Sequence, residues 1–340
     1  MNRLARFGAL SLLIPMIQGC GDKVGAWGDA NSIVAVADPA LWAEVEDQVY
    51  AALEPTVFTV TQEKSFTVTY TEPGDEIWGN MRKFRQMLFI GPASNRWVAE
   101  ALEEADDVDE LTPPQIVQIR NVWARNQLVT LLVVPEDDPV AGVEARLDDL
   151  AALFDEQYRR WARQRMFVSG ADTALTDTLM TQFGFSLTLP QVYEWNRSDS
   201  VFIFRNDNPD PSELIRQIAV TWRTAGSAPV EFQTDSILAW RAALAEAHYT
   251  YPQEINLNGG RAGPIRRGST ELLEIQGSWM NPPDSGWPAG GPFILRSLVC
   301  PDQDRVYLID AWLYAPGKEK YEYMIQLQTI LESFRCEGMA

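Results

Sequence analysis

"STELLEIQGSWMNPPDSGWPAGGPFILRSLVCPDQDRVYLIDAWLY", residues 269 to 314, carries three β-type segments in a row with only turn formers between them. "STELLEIQGSWM" (269–280), "FILRSLVC" (293–300) and "RVYLIDAWLY" (305–314) are rich in β-branched and aromatic residues and are bounded by Pro, Gly and Asp. Strands that follow one another through short turns pair antiparallel. Three more strands precede them, in "FSLTLP" (185–190), "VFIFRN" (201–206) and "LIRQIAVTW" (214–222), with a helix in "DSILAWRAALAEAHY" (235–249). A closing helix, "KEKYEYMIQLQTILESF" (318–334), puts Met324, Leu327, Leu331 and Phe334 on one side. Strands grouped together with helices apart from them predict an α+β domain, an antiparallel sheet covered by helices.

Working toward the N-terminus, "FVSGADT" (167–173) interrupts the periodicity and marks a boundary between a domain at 32–168 and one at 172–337. In the first, "SIVAVA" (32–37) reads as a strand, and Asp38-Pro39 opens a helix with Leu41, Val45, Val49 and Leu53 on one stripe. "SFTVTYTE", "FRQMLFIG" and "NQLVTLLVV" read as strands, and "NRWVAEALEEADDVDEL" (95–111) as a helix that frays into its acidic end. The order β-α-β-β-α-β predicts a split βαβ sheet of the ferredoxin-like kind. A long helix from about Val143 to Met166 follows, with Leu147, Leu150, Phe154, Tyr158 and Trp161 along its apolar stripe.

At the start of the chain, Arg3 and Arg6 precede an apolar run from Phe7 to Ile17. That run is well short of the roughly 20 residues a membrane-spanning helix needs, so it reads as a signal peptide. Ile17-Gln18-Gly19-Cys20 resembles the lipobox of bacterial lipoproteins, with Gln18 a departure from the usual small or apolar residue. The expectation is removal of residues 1–19, lipid on the Cys20 sulfur, and a Gly-rich tether over 20–31. Acyl chains gain roughly 0.8 kcal/mol per buried methylene, so several of them hold a water-soluble body on a membrane through Cys20.

The net charge of −19, about −21 once Arg3 and Arg6 are lost, argues against nucleic acid or anionic headgroups as partners. With 46% apolar and 11% aromatic residues the chain is expected to pack as a globular protein. Beyond Cys20 the cysteines are Cys300 and Cys336. They form either a disulfide, worth roughly 3 to 4 kcal/mol in the loop-entropy model, or two buried thiols.

"VADPALW" (36–42), "VWARNQLV" (122–129), "QFGFSLTLPQVY" (182–193), "YTYP" (249–252), "EIQGSW" (274–279), "GGPF" (290–293) and "WLYAPGKEKYEYM" (312–324) occur in that order. In them the chain resembles an uncharacterised family of bacterial cell-envelope lipoproteins, mainly from the Bacteroidota, known as domain of unknown function 4837. The resemblance implies a lipid anchor, this architecture and an outer-membrane location, and it implies no reaction. "DAW" (310–312) departs from the small or glycine-containing version of that strand, so no role attaches to Asp310.

Most catalytic inventories fail. His248 is the single histidine, which excludes a histidine metal cage and leaves a Ser-His-Asp triad without its G-x-S-x-G elbow. No metal and no cofactor are expected. "NGGRAGPIRRG" (258–268) lacks the context of a phosphate loop and reads as an exposed loop. "EEADDVDE" (103–110) and "NDNPD" (206–210) read as solvated acid and turn, without the distal ligands of a calcium loop. Glu274 alternates with Leu273 and Ile275, so it points to the opposite face of its strand and is the candidate acid or base of a carboxylate hydrolase.

"GSWMNPPDSGWPAGGPF" (277–293) combines proline-stiffened backbone with tryptophan faces that need covering, a composition suited to peptides or sugars. Trp279, Trp287 and Phe293, joined by Trp312 and Tyr314 from the last strand, are the candidate ligand-binding residues. Two functions compete. One is a non-enzymatic binding or scaffold module for an envelope protein, peptide or glycan, and the other is a hydrolase of an envelope polymer using Glu274.

Overall fold

The computed structural model describes residues 23–74, 77–105, 110–225, 233–268, 270–285 and 288–339. Cys20 and Trp287 lie outside them.

The chain is α+β, with a five-stranded sheet in its first half and a seven-stranded antiparallel sheet in its second. The first half runs β1 (Ser32–Ala37), α1 (Pro39–Leu53), β2 (Thr56–Phe58), β3 (Gln62–Lys64), β4 (Thr67–Thr71), α2 (Trp78–Met81), β5 (Gln86–Gly91), α3 (Arg96–Leu102), β6 (Gln115–Arg120), β7 (Leu128–Val133), α4 (Pro139–Glu144) and α5 (Leu147–Met166). Asp38 caps α1, accepting from the Ala40 N–H at 2.9 Å, and the stripe Leu41, Val45, Val49, Leu53 is buried.

The strand order is β4-β1-β5-β7-β6, with β1 parallel to both β4 and β5, β5 parallel to β7, and only β6 antiparallel. This corrects the ferredoxin-like pairing expected for this half. Strands β1, β5 and β7 are buried on both faces, under α1 and α5 on one side and α3 on the other, and that is the environment of parallel strands. Their near-continuous apolar runs, without alternation, carried that signal. The segment "QIVQIR" was not read as a strand, yet it forms β6. The helix that opens at Arg96 ends at Leu102, where the acidic run into which it was expected to fray begins, and the long helix expected from Val143 is broken at Ala145–Arg146.

Residues 23–31, expected to hang free as a tether, run along this domain. Ala26 N–H donates to Arg125 O at 2.8 Å, Arg85 N–H donates to Trp27 O at 2.7 Å, and Ala30 is buried.

The second half runs α6 (Thr173–Phe183), β8 (Phe185–Ser186), β9 (Glu194–Ser198), β10 (Val201–Asn206), β11 (Ile215–Thr224), α7 (Thr234–His248), β12 (Glu254–Arg267), β13 (Thr270–Met280), β14 (Gly290–Cys300), β15 (Arg305–Tyr314), α8 (Tyr321–Glu332) and β16 (Arg335–Cys336). Order in the large sheet is β12-β13-β14-β15-β11-β10-β9. One face packs against α6 and α8, the other against α7. Helix α6 was missed because its threonines are poor helix formers. It is fixed at its ends, by Asp172 accepting from Leu175 N–H at 2.9 Å and by Gly184 at φ +80°. The stretch expected as an exposed loop at 258–268 is mostly the edge strand β12, interrupted by a bulge between Asn256 and Arg261. Proline and arginine are tolerated there because an edge strand has an unpaired side.

The halves meet through α5 and α8. Ile325 of α8 enters the core of the first domain, and the Tyr321 hydroxyl donates to Asp155 at 2.5 Å. Arg159 donates to Gln328 at 3.1 Å, and Tyr321 stacks on Tyr158 at 5.6 Å. Among the described residues no helix is long and apolar enough to cross a membrane.

Candidate functional site

Alternation along β13, β14 and β15 places Trp279, Phe293, Trp312 and Tyr314 on one face, the face under α7. Phe293 pairs with Trp312 across β14 and β15, and Trp279 meets Trp312 edge to face at 5.2 Å. Phe293 and Trp312 are wholly buried beneath the helix and form core, so they offer no surface to a ligand. Trp279 and Tyr314, at the ends of their strands, line an open pocket of 360 Å³.

The rest of the pocket comes from Ile215 opening β11, Tyr251 after α7, the Asp210-Pro211-Ser212 turn, and Ala289 of the 277–293 stretch. Ile215 sits there because it pairs with Tyr314 in register. The turn is self-contained, since Asp210 Oδ1 accepts from Ser212 N–H at 2.8 Å and Oγ at 2.6 Å, which holds its carboxyl below the ordinary value. It follows a cis Asn208–Pro209 bond. This is the "NDNPD" segment, and its acid is a turn former beside the pocket. The Arg205 guanidinium lies 5.7 Å from the Tyr251 ring.

Close approach of backbone sets the pocket wall. Trp279 Nε1 donates to the Leu313 carbonyl at 3.2 Å, and a Cβ on Gly291 would stand 1.7 Å from that same oxygen. Glycine at the start of β14 is therefore what lets the indole reach β15.

Behind this wall lies an ionic group that the sequence reading left without a role. Asp310, fully buried on β15, accepts from Arg241 Nε at 2.9 Å and from the Tyr249 hydroxyl at 2.7 Å. Burial, reinforced by the Asp310 charge, pushes the Tyr249 hydroxyl well above its ordinary range. Arg241 also donates to Gln253 at 2.7 Å and lies 4.1 Å above the Phe293 ring. The network nails α7 and the following "YTYP" loop to the sheet, and so places Tyr251. Its partners are 69 and 61 residues from Asp310 in sequence, beyond the reach of local pattern.

Glu274 projects to the opposite face, as its alternation requires, and is only 4% exposed there, at the edge of an open pocket of 250 Å³ lined by Arg261 and Arg267. Its Oε2 accepts from Arg296 Nε at 2.8 Å, and its Oε1 from Arg261 at 3.1 Å and Gln276 at 2.9 Å. Desolvation lowers the Arg296 pKa against the opposing pull of Glu274. Both oxygens are thus held in an ion pair and amide contact that join β12, β13 and β14. His248, at the end of α7, is half-buried. Among the described residues no cluster of His, Cys, Asp and Glu has the makings of a metal site. Cys300 and Cys336 are joined as a disulfide with Cα atoms 6.4 Å apart, tying β14 to β16.

Residues 172–333 match the model of a domain of unknown function (DUF4837), and residues 26–167 match that of another (DUF8532). The resemblance read from the sequence therefore splits, because "VADPALW" and "VWARNQLV" fall within the second model's range. No curated protein sequence matches the chain. Among solved structures, cyanobacterial PsbP (CyanoP) from Synechocystis sp. PCC 6803 is 12% identical, covering 46% of this chain and 88% of its own, at a TM-score of 0.32. The Ran-binding protein Mog1p of Saccharomyces cerevisiae is 14% identical, over 46% of this chain and 92% of its own, at 0.30. Human STARD10 is 8% identical, over 52% and 74%, at 0.20.

Proposed function

For a chain whose residues 172–333 belong to the DUF4837 family and whose residues 26–167 belong to DUF8532, both of unknown function, we propose a lipid-anchored envelope protein that binds without catalysing. Its ligand engages the C-terminal pocket with an apolar group, presented by an envelope protein or peptide or by the apolar face of a sugar.

The observation that carries this reading is an open pocket of 360 Å³ walled by Tyr251 and Tyr314, with Trp279 and Ile215, 2% and 1% exposed, showing only an edge at its back. That volume suits a ring or a branched chain, and aromatic walls supply contact area at little cost in side-chain entropy. Preorganisation supports it too, since the indole is fixed by the Leu313 carbonyl and the loop by Asp310. The hydrolase alternative has no comparable support. Glu274 borders an open pocket of 250 Å³ with Arg261 and Arg267, on the other side of the sheet from the aromatic pocket, but both of its oxygens are already occupied by donors from Arg296, Arg261 and Gln276.

The anchor on Cys20 rests on the sequence. Globomycin is expected to block maturation, and Cys20→Ser to release the protein from the membrane fraction; undiminished membrane attachment of that variant would remove the anchor from the account. The binding reading is tested by crosslinking the membrane-held chain and comparing wild type with Tyr251→Ala and Tyr314→Ala. Loss of one reproducible partner in both variants supports it, with a glycan array covering the sugar case. A partner set and array profile unchanged by either substitution would contradict it.

A further inference from the structure

Lys23 stands three residues beyond Cys20, and from there onward the chain is fastened to the first domain. Arg125 N–H donates to Val24 O and Ala26 N–H to Arg125 O, each at 2.8 Å. Trp27 is bonded on both sides, its N–H donating to Lys83 O at 3.3 Å and its carbonyl accepting from Arg85 N–H at 2.7 Å. The Phe84 ring meets the Trp27 indole edge to face at 6.4 Å, and it comes so near Gly28 that a Cβ there would stand 2.7 Å from it. This stretch carries no slack.

Three Cα-to-Cα steps reach at most about 11 Å, whatever their conformation. With lipid on Cys20, Lys23 can stand no farther than that from the anchored residue, so the surface around it is always beside the headgroup layer. The inference therefore rests on the anchor proposed above.

The side chains of that surface fit such a neighbour. Val24 and Trp27 are 50% and 41% exposed, two large apolar groups at the start of the fastened segment. The Lys83 ammonium lies 5.6 Å from the centre of the Trp27 ring. An indole with an ammonium beside it matches the boundary between acyl chains and headgroups, where tryptophan is enriched and lysine reaches out to the polar layer. Lys23 is already matched by Glu104 at 3.1 Å, within the acidic run 103–110, so attraction to anionic lipid is not what would hold this face down. Little affinity is needed, because the short link keeps the face at high effective concentration. We infer that Val24 and Trp27 seat in the headgroup layer of the anchoring membrane, uncharged phospholipid sufficing, so that the first domain lies on the bilayer by this face instead of swinging on a tether.

Mature chain from a lipoprotein-processing host, reconstituted in phosphatidylcholine vesicles with plain or brominated acyl chains, tests this. Bromine quenches only fluorophores that come close to it. Emission is expected to drop in the brominated vesicles for wild type. The drop should be lost in Trp27→Phe, which keeps a ring against Phe84. The chain has 12 tryptophans, and the difference between the two forms isolates Trp27. Val24→Cys supplies a second reading, since Cys300 and Cys336 are joined and an acylated Cys20 leaves one thiol for a fluorescent dye. That dye should also lose emission in the brominated vesicles. Chain that floats with the vesicles but emits equally in both kinds, a drop that Trp27→Phe leaves unchanged, or a dye at position 24 that bromine does not touch would overturn the inference and leave the anchor standing. Chain that does not float would remove the anchor and this inference with it.

Discussion

Arg241 Nε donates to Asp310 Oδ1 across 2.9 Å, and both side chains are completely withdrawn from solvent. Breaking such a pair from one side leaves an uncompensated buried charge, which costs about 3–5 kcal/mol. Asp310→Ala should lose stability of that order in urea unfolding. The double variant Arg241→Met/Asp310→Leu should regain most of it, because the charge goes with its partner. Equal loss in single and double variants would mean that packing, and not the charge, explains the effect.

The chain has 10 tyrosines, and those at 50, 158, 193, 249, 307 and 321 have hydroxyls raised above their ordinary 10.0, each with burial as the largest cause. The sign follows directly. Above pH 10 the unfolded chain releases phenolic protons that the folded chain retains, so stability is intact below 10 and falls as pH rises beyond it. Phenolate absorbance should therefore appear together with loss of tertiary signal, in one alkaline transition. Smooth ionisation of all tyrosines in a still-folded protein would contradict this.

The Cys300–Cys336 bridge closes a separation of 36 residues and holds β16 against the sheet. Replacing both cysteines by serine should cost about 3–4 kcal/mol in chemical unfolding. The change should leave the aromatic pocket intact, because β16 packs on the other face.

Gly291→Ala is expected to destabilise by about 3 kcal/mol, since its new methyl would meet the Leu313 carbonyl and push Trp279 off β15. Gly263→Ala, with open space around it in the edge strand, should stay within about 0.5 kcal/mol of wild type. Thermal unfolding of the pair separates a position that needs close approach from one that does not.

The alternation in "LLEIQGSW" was enough to put Trp279 on one face and Glu274 on the other, and the run of turns and strands from 269 to 314 was enough for an antiparallel sheet. Period two is local, so sequence carries it. Pairing partners are not local. The parallel order β4-β1-β5-β7 depends on which strand lies beside which, and the only trace of it was the unbroken apolar character of "SIVAVA" and "NQLVTLLVV". Glu274 was legible as a strand carboxylate but not as an ion-pair partner, because Arg296 is 22 residues away on the next strand. The pocket was half legible. Trp279 and Tyr314 stood out as aromatics at strand ends, while Ile215, Tyr251 and Ser212 join them only through register and the buried Arg241–Asp310 network.

The most direct measurement is partner capture by the membrane-held chain in three forms: wild type, Tyr251→Ala/Tyr314→Ala, and Glu274→Gln. The account predicts one crosslinked partner or one glycan signal that survives Glu274→Gln and disappears when the two tyrosine rings are removed. A partner or polymer whose turnover stops with Glu274→Gln, and which ignores the loss of Tyr251 and Tyr314, would contradict it.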